Sequence, residues 1–112
     1  MIKNIFKEWY NMSNTSDRQC SCGSWMEHWK NFSGYRWPST CSVEGCFKEA
    51  SLGAHIKRDN DNTVYILPMC DSCNKRTDHF AIKSSAKPVR EDACNNSASS
   101  IILNLLNKIR ND

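Results

Sequence analysis

Two cysteine pairs at metal-ligand spacing, two short β-patterned runs around a hydrophilic turn, and apolar helical stripes toward both ends predict a small α+β domain. The expected architecture is a metal-stabilised core with flanking amphipathic helices. A chain of 112 residues buries only a modest core, and domains of this size often need a staple.

Seven cysteines suggest what the staple is. A secreted disulfide framework normally shows an even number and a leader sequence. Here the count is odd, and Lys3, Lys7 and Glu8 interrupt any apolar stretch at the N-terminus. No apolar run approaches the roughly 20 residues of a membrane span. The chain therefore reads as cytoplasmic, with no membrane partner and with thiols available for metal. Net charge is +3, a weak pointer to an anionic partner. Residues 41–83 carry six Lys/Arg and six Asp/Glu, so the excess lies outside the central segment. A dedicated nucleic-acid binder usually clusters its basic residues.

Three segments follow. Residues 1–40 form a helical, Trp-rich N-terminal part. Ile2, Ile5, Phe6 and Trp9 have the i, i+3, i+4, i+7 spacing of an amphipathic helix over 2–12. Residues 13–21 are polar and loop-like. Ser24 and Glu27 then form a capping-box pattern, opening a short helix with Trp25, His28, Trp29 and Phe32 on one face. Residues 41–83 form the core, with strands expected over 50–56 and 63–69, a hairpin turn over 57–62, and a helix opened by the second cysteine pair, 70–73, and running through 74–80. Residues 84–112 combine an irregular stretch with a C-terminal amphipathic helix built on Ile101, Ile102, Leu105, Leu106 and Ile109.

Cys41, Cys46, Cys70 and Cys73 have the pattern C-x4-C-x23-C-x2-C. Zinc takes tetrahedral thiolates, and a tight turn offers two sulfurs to one ion. Two such turns far apart in sequence close a long loop and add folding free energy. A structural zinc ion is expected there. Cys20, Cys22, His28 and Cys94 could make a second, Cys3His site. Against that stands the alternative of a core Cys22, an incidental Cys94 and a surface or interface His28.

Gly53-Ala54-His55-Ile56 lies between the pairs, and Leu67-Pro68-Met69-Cys70-Asp71-Ser72-Cys73-Asn74-Lys75 follows. A cysteine pair, a strand with His, a hairpin, a strand entering C-x-x-C and a helix resembles the HNH, or ββα-metal, endonuclease motif on a treble-clef zinc scaffold. The resemblance covers residues 41–83. It implies a treble-clef/ββα-metal core, a metal-dependent phosphodiester cleavage, and nucleic acid as substrate. Carried over residue by residue, it makes His55 the general base and Asn74 the ligand of a catalytic Mg²⁺ or Mn²⁺. Asp78, four residues after Asn74, would be a second oxygen ligand on the same helical face. The family's middle Asn corresponds here to Tyr65.

Trp25, Trp29, Phe32, Tyr35 and Trp37 are either core or an anchor surface for a protein partner. Stacking on single-stranded nucleic acid would need interleaved basic residues, and within this stretch only Lys30 and Arg36 are present. Two functions are expected ahead of a non-catalytic nucleic-acid binder. One is the HNH-like endonuclease. The other is a non-catalytic zinc protein of phage or mobile-element type that binds and inhibits a host protein or nucleoprotein complex. The sequence does not set the oligomeric state.

Overall fold

In the computed structural model, residues 6–94 are described. They form a four-stranded antiparallel sheet of order β1-β2-β3-β4. The strands are β1 (Trp9–Asn11), β2 (Leu52–Arg58), β3 (Tyr65–Met69) and β4 (Val89–Arg90). Two helices, α1 (Trp25–Ser33) and α2 (Asp71–Asn74), and a 3-10 turn at Glu91–Cys94 complete the described chain. Each of the three segments read from the sequence contributes a strand, so the sheet joins them.

The hairpin forms, with its strands starting two residues later than expected: Lys57 and Arg58, expected in the turn, extend β2, and β3 begins at Tyr65. Five residue pairs run from Leu52↔Met69 to Ile56↔Tyr65, and the connection between them is the hydrophilic stretch. Asp61 ties it, accepting from the Thr63 amide at 2.8 Å and from the Tyr65 hydroxyl at 2.9 Å. These bonds hold its carboxyl well below the usual carboxylate range.

Alternation along the hairpin divides the sheet into two faces. Ala54, Ile56, Leu67 and Met69 point to one, where they pack with Trp9, Phe80, Ile82 and the cysteines 41, 70 and 73. Ile66 points to the other, with Trp29 and Val89 and the partly buried Trp25 and Trp37. Ile56, Ile66 and Leu67 are fully buried, and each such side chain contributes about 1.5–3 kcal/mol.

α1 forms where the capping box predicts it. Ser24 is extended, its hydroxyl accepts from the Glu27 amide at 3.0 Å, and Gly34 closes the helix. The helix lies tight on the sheet at Gly53, where an added Cβ would sit 3.0 Å from the backbone and Cβ of Trp25. Glycine is therefore required by close approach.

Two expected helices differ. The segment expected as a helix over 2–12 forms a strand at Trp9–Asn11 instead. The free edge of β2 accepts it, with Trp9↔Arg58 through Asn11↔Ile56 in register. Trp9 and Phe80 also exchange backbone hydrogen bonds of 3.1 and 2.8 Å. Trp9 is buried to 4% exposure in the process, so tertiary pairing overrides the apolar stripe. The helix expected to open at the second cysteine pair and run through 74–80 is shorter, ending at Asn74. Residues 1–5 and the C-terminal helix expected from Ile101 to Ile109 lie outside the described residues.

Candidate metal centres and the His55 pocket

The first centre sits under the Ile56 face of the sheet. Cys41 and Cys46 come from a knuckle closed by the Cys46 amide donating to Val43 O at 3.0 Å, with Gly45 at φ 84° just before the second sulfur. Cys70 caps α2 and Cys73 lies within it. Lys83 ties the knuckle from the far side, donating to the Cys41 and Cys46 carbonyls at 2.6 Å each. The four sulfurs all lie within 4.8 Å of one another, and Cys46 and Cys70 are 3.7 Å apart. A tetrahedron with bonds of about 2.3 Å has edges near 3.8 Å. The set fits a metal ion.

Electrostatics at this centre point the same way. Burial opposes charge on Cys70, but bonds from the Ser72 hydroxyl and the Cys73 amide bring its thiol down to about 6. Burial pushes the Cys73 and Cys41 thiols up. Crowded buried thiols cannot all ionise together unless a cation joins them.

The second centre assembles as well. Cys20 and Cys22 come from the loop before α1, His28 from α1, and Cys94 from the 3-10 turn. Their ligand atoms lie within 4.8 Å of one another. Cys20 Sγ is 3.1 Å from both His28 Nδ1 and Cys94 Sγ. Burial pushes the Cys20 thiol up to about 12. His28 is fully buried, and its Nε2 lies 2.8 Å from Arg90 O. A carbonyl can only accept, so Nε2 carries the proton and Nδ1 is left as the ligand nitrogen. The alternative in which Cys94 is incidental and His28 lies at the surface is set aside by these contacts.

His55 and Asn74 are not brought together. Asn11, opposite Ile56, donates from Nδ2 to the Cys73 and Arg76 carbonyls at 2.8 and 2.9 Å. α2 therefore packs on the Ile56 face. His55 projects from the opposite face, where its ring meets Trp25 edge-on at 4.6 Å. It is 6% exposed. Its Nε2 lies 3.1 Å from Glu91 Oε2, close enough for ion pairing but not aligned as a hydrogen bond. Burial lowers the His55 imidazole below its ordinary value, against the pull of Glu91. Hydrogen bonding to Arg18 holds the Glu91 carboxyl below its usual range.

Asp78 is also displaced from its expected role. Because α2 stops at Asn74, Asp78 shares no helical face with it. Its carboxylate is bound by Arg76 at 2.9 and 2.6 Å, which brings it down to about 2. Asn74 itself closes α2, its amide donating to Cys70 O at 3.1 Å.

Arg18, Glu91, Asn11 and Lys83 were not singled out by the sequence. All four act across at least 37 residues, so no local spacing marks them. No protein-family model, curated protein or solved structure matches this chain. Among the described residues, no helix is long and apolar enough to cross a membrane.

Proposed function

We propose that this chain is a non-catalytic binding module whose treble-clef-like core is held by two zinc ions. Cysteine-rich sets with one imidazole are the donors zinc prefers, and both centres use four protein ligands, the closed arrangement of structural sites. The observation that carries the non-catalytic part is the enclosure of His55. A general base must reach its proton within hydrogen-bond distance or through one water. His55 is buried between Trp25 and Glu91, on the face of the sheet opposite Asn74.

The HNH-like endonuclease would need His55 and Asn74 across one cleft with Mg²⁺ or Mn²⁺ between them. Incubation of the zinc-loaded protein with plasmid DNA and with RNA, in either divalent ion, separates the two readings. No nicking above a His55→Ala control is expected. Metal-dependent cleavage that His55→Ala abolishes would overturn the non-catalytic reading. Elemental analysis is expected to give two zinc ions per chain.

A further inference from the structure

The aromatic stretch divides between core and surface. Trp29 is 3% exposed, whereas Phe32 and Tyr35 are 39% and 57% exposed. The three indoles are satisfied by the Arg18, Lys87 and Ala50 carbonyls, which fixes the Trp side of the helix inward. Gly34 then turns the chain at φ 75°, so Tyr35 and Arg36 leave the helix at its exposed end.

Two adjoining hollows of about 340 and 470 Å³ open there, and Tyr35 and Lys87 line both. Arg36 and Lys83 line the first, and Phe32 and Arg90 the second. Among the described residues, no carboxylate lines either one. Lys83 and Arg90 have structural partners, the knuckle carbonyls and Asp92. Lys87 stands over the Tyr35 ring at 5.2 Å. Exposed rings with Arg36 and Lys87 beside them match a base on its sugar-phosphate backbone. The rings take base faces and the cations take phosphates.

We propose that this groove binds single-stranded nucleic acid, with Tyr35 and Phe32 as the stacking rings and Arg36 and Lys87 toward the phosphates. The inference deepens the binding-module reading and rests on it. Single strands are favoured because bases paired and stacked in a duplex cannot offer their faces to protein rings. The neutral charge of residues 41–83 does not oppose it, because Arg36 and Lys87 come from outside that segment.

The test is fluorescence anisotropy of the zinc-loaded full chain with labelled single-stranded DNA and RNA of about a dozen nucleotides. Binding is expected to weaken steeply as salt rises. Arg36→Glu with Lys87→Glu should lower affinity at least ~10-fold and reduce the log–log salt slope by about two. Tyr35→Ala should lower affinity about 5-fold or more with the slope unchanged. Lys75→Glu, on the α2 side and outside the groove, should leave binding within about 2-fold. Unchanged zinc content and near-ultraviolet dichroism establish that each variant is folded.

Three results overturn the proposal: no binding of either strand at low salt, binding insensitive to the double charge reversal, or duplex held as tightly as single strands. Preferential binding of a Glu-rich peptide at the same residues overturns it in favour of a protein partner. The same samples run on a denaturing gel keep the two readings apart. A cleaved strand sinks the non-catalytic reading and leaves the groove, whereas an intact, unbound strand sinks the groove alone.

Discussion

Arg18 and Glu91, 73 residues apart, are joined by two parallel hydrogen bonds of 2.5 Å each. The pair clasps the loop before α1 to the turn that follows β4, and it turns Glu91 toward His55 on the sheet. It lies beside the second candidate metal centre, whose members Cys20 and Cys94 come from the same two segments. A metal ion held by that set would join the same two segments by a second chemistry.

Glu91→Gln keeps the size of the side chain but removes its charge, and it leaves Arg18 with a weaker partner. Bidentate charged bonds are strong, but Arg18 is 36% exposed and so partly screened. A loss of about 1–2 kcal/mol is expected from denaturant unfolding at fixed free zinc. An unchanged midpoint would show the clasp to be incidental.

His55 gives stability a pH dependence of known sign. Its folded imidazole is lowered by burial, so between its ordinary value near 6.5 and that lower value the unfolded chain binds the extra proton. Stability is complete above about pH 6.5 and falls as pH drops through this window. Acid release of zinc adds a slope of the same sign, so the comparison with a variant is what isolates His55. His55→Gln should flatten the decline between about pH 7 and 5 in melts followed at matched zinc occupancy. Parallel slopes for the two proteins would refute the assignment.

The two centres should differ in what their loss does. Cys41, Cys70 and Cys73 are buried in the main core, so Cys70→Ser should give a chain that fails to fold cooperatively. Cys22 is only partly buried. Cys22→Ser should bind one zinc instead of two and keep the β-sheet signature in circular dichroism, while the junction near Glu91 loses hydrogen-exchange protection. Equal collapse of both variants would contradict a division of labour.

Gly53→Ala tests the seating of α1. The added methyl meets the Trp25 backbone at 3.0 Å, which cannot retreat without lifting the helix. Overpacking of this kind costs about 1–3 kcal/mol. A neutral effect on the unfolding midpoint would mean that α1 shifts freely.

Much of the centre was legible because its determinants are local. The spacing within Cys41/Cys46 and within Cys70/Cys73 is a property of tight turns. Ser24 and Glu27 set the start of α1 through bonds within one helical turn. Alternation along 50–56 and 63–69 required the hairpin once the hydrophilic turn joined them. The segment at Trp9 was misread because an apolar stripe is equally compatible with a strand. What decided it was the unpaired edge of β2, which no property of residues 2–12 reveals. Asp78 was misread for a related reason: the length of α2 depends on how the chain leaves Asn74, and the Arg76–Asp78 pair forms after the helix has already ended.

The sequence by itself determined the Cys41/Cys46 and Cys70/Cys73 pairs, the cap of α1 and the hairpin, since each follows from residues close together in the chain. Only the tertiary structure decided which face of the sheet each side chain occupies. That choice separates His55 from Asn74 and joins it to Glu91. It also gathers Cys94 to Cys20, and Lys87 to Tyr35. Register and chain crossing set these relations through the packing of the whole chain, and a one-residue change of register would reverse every one that depends on a face.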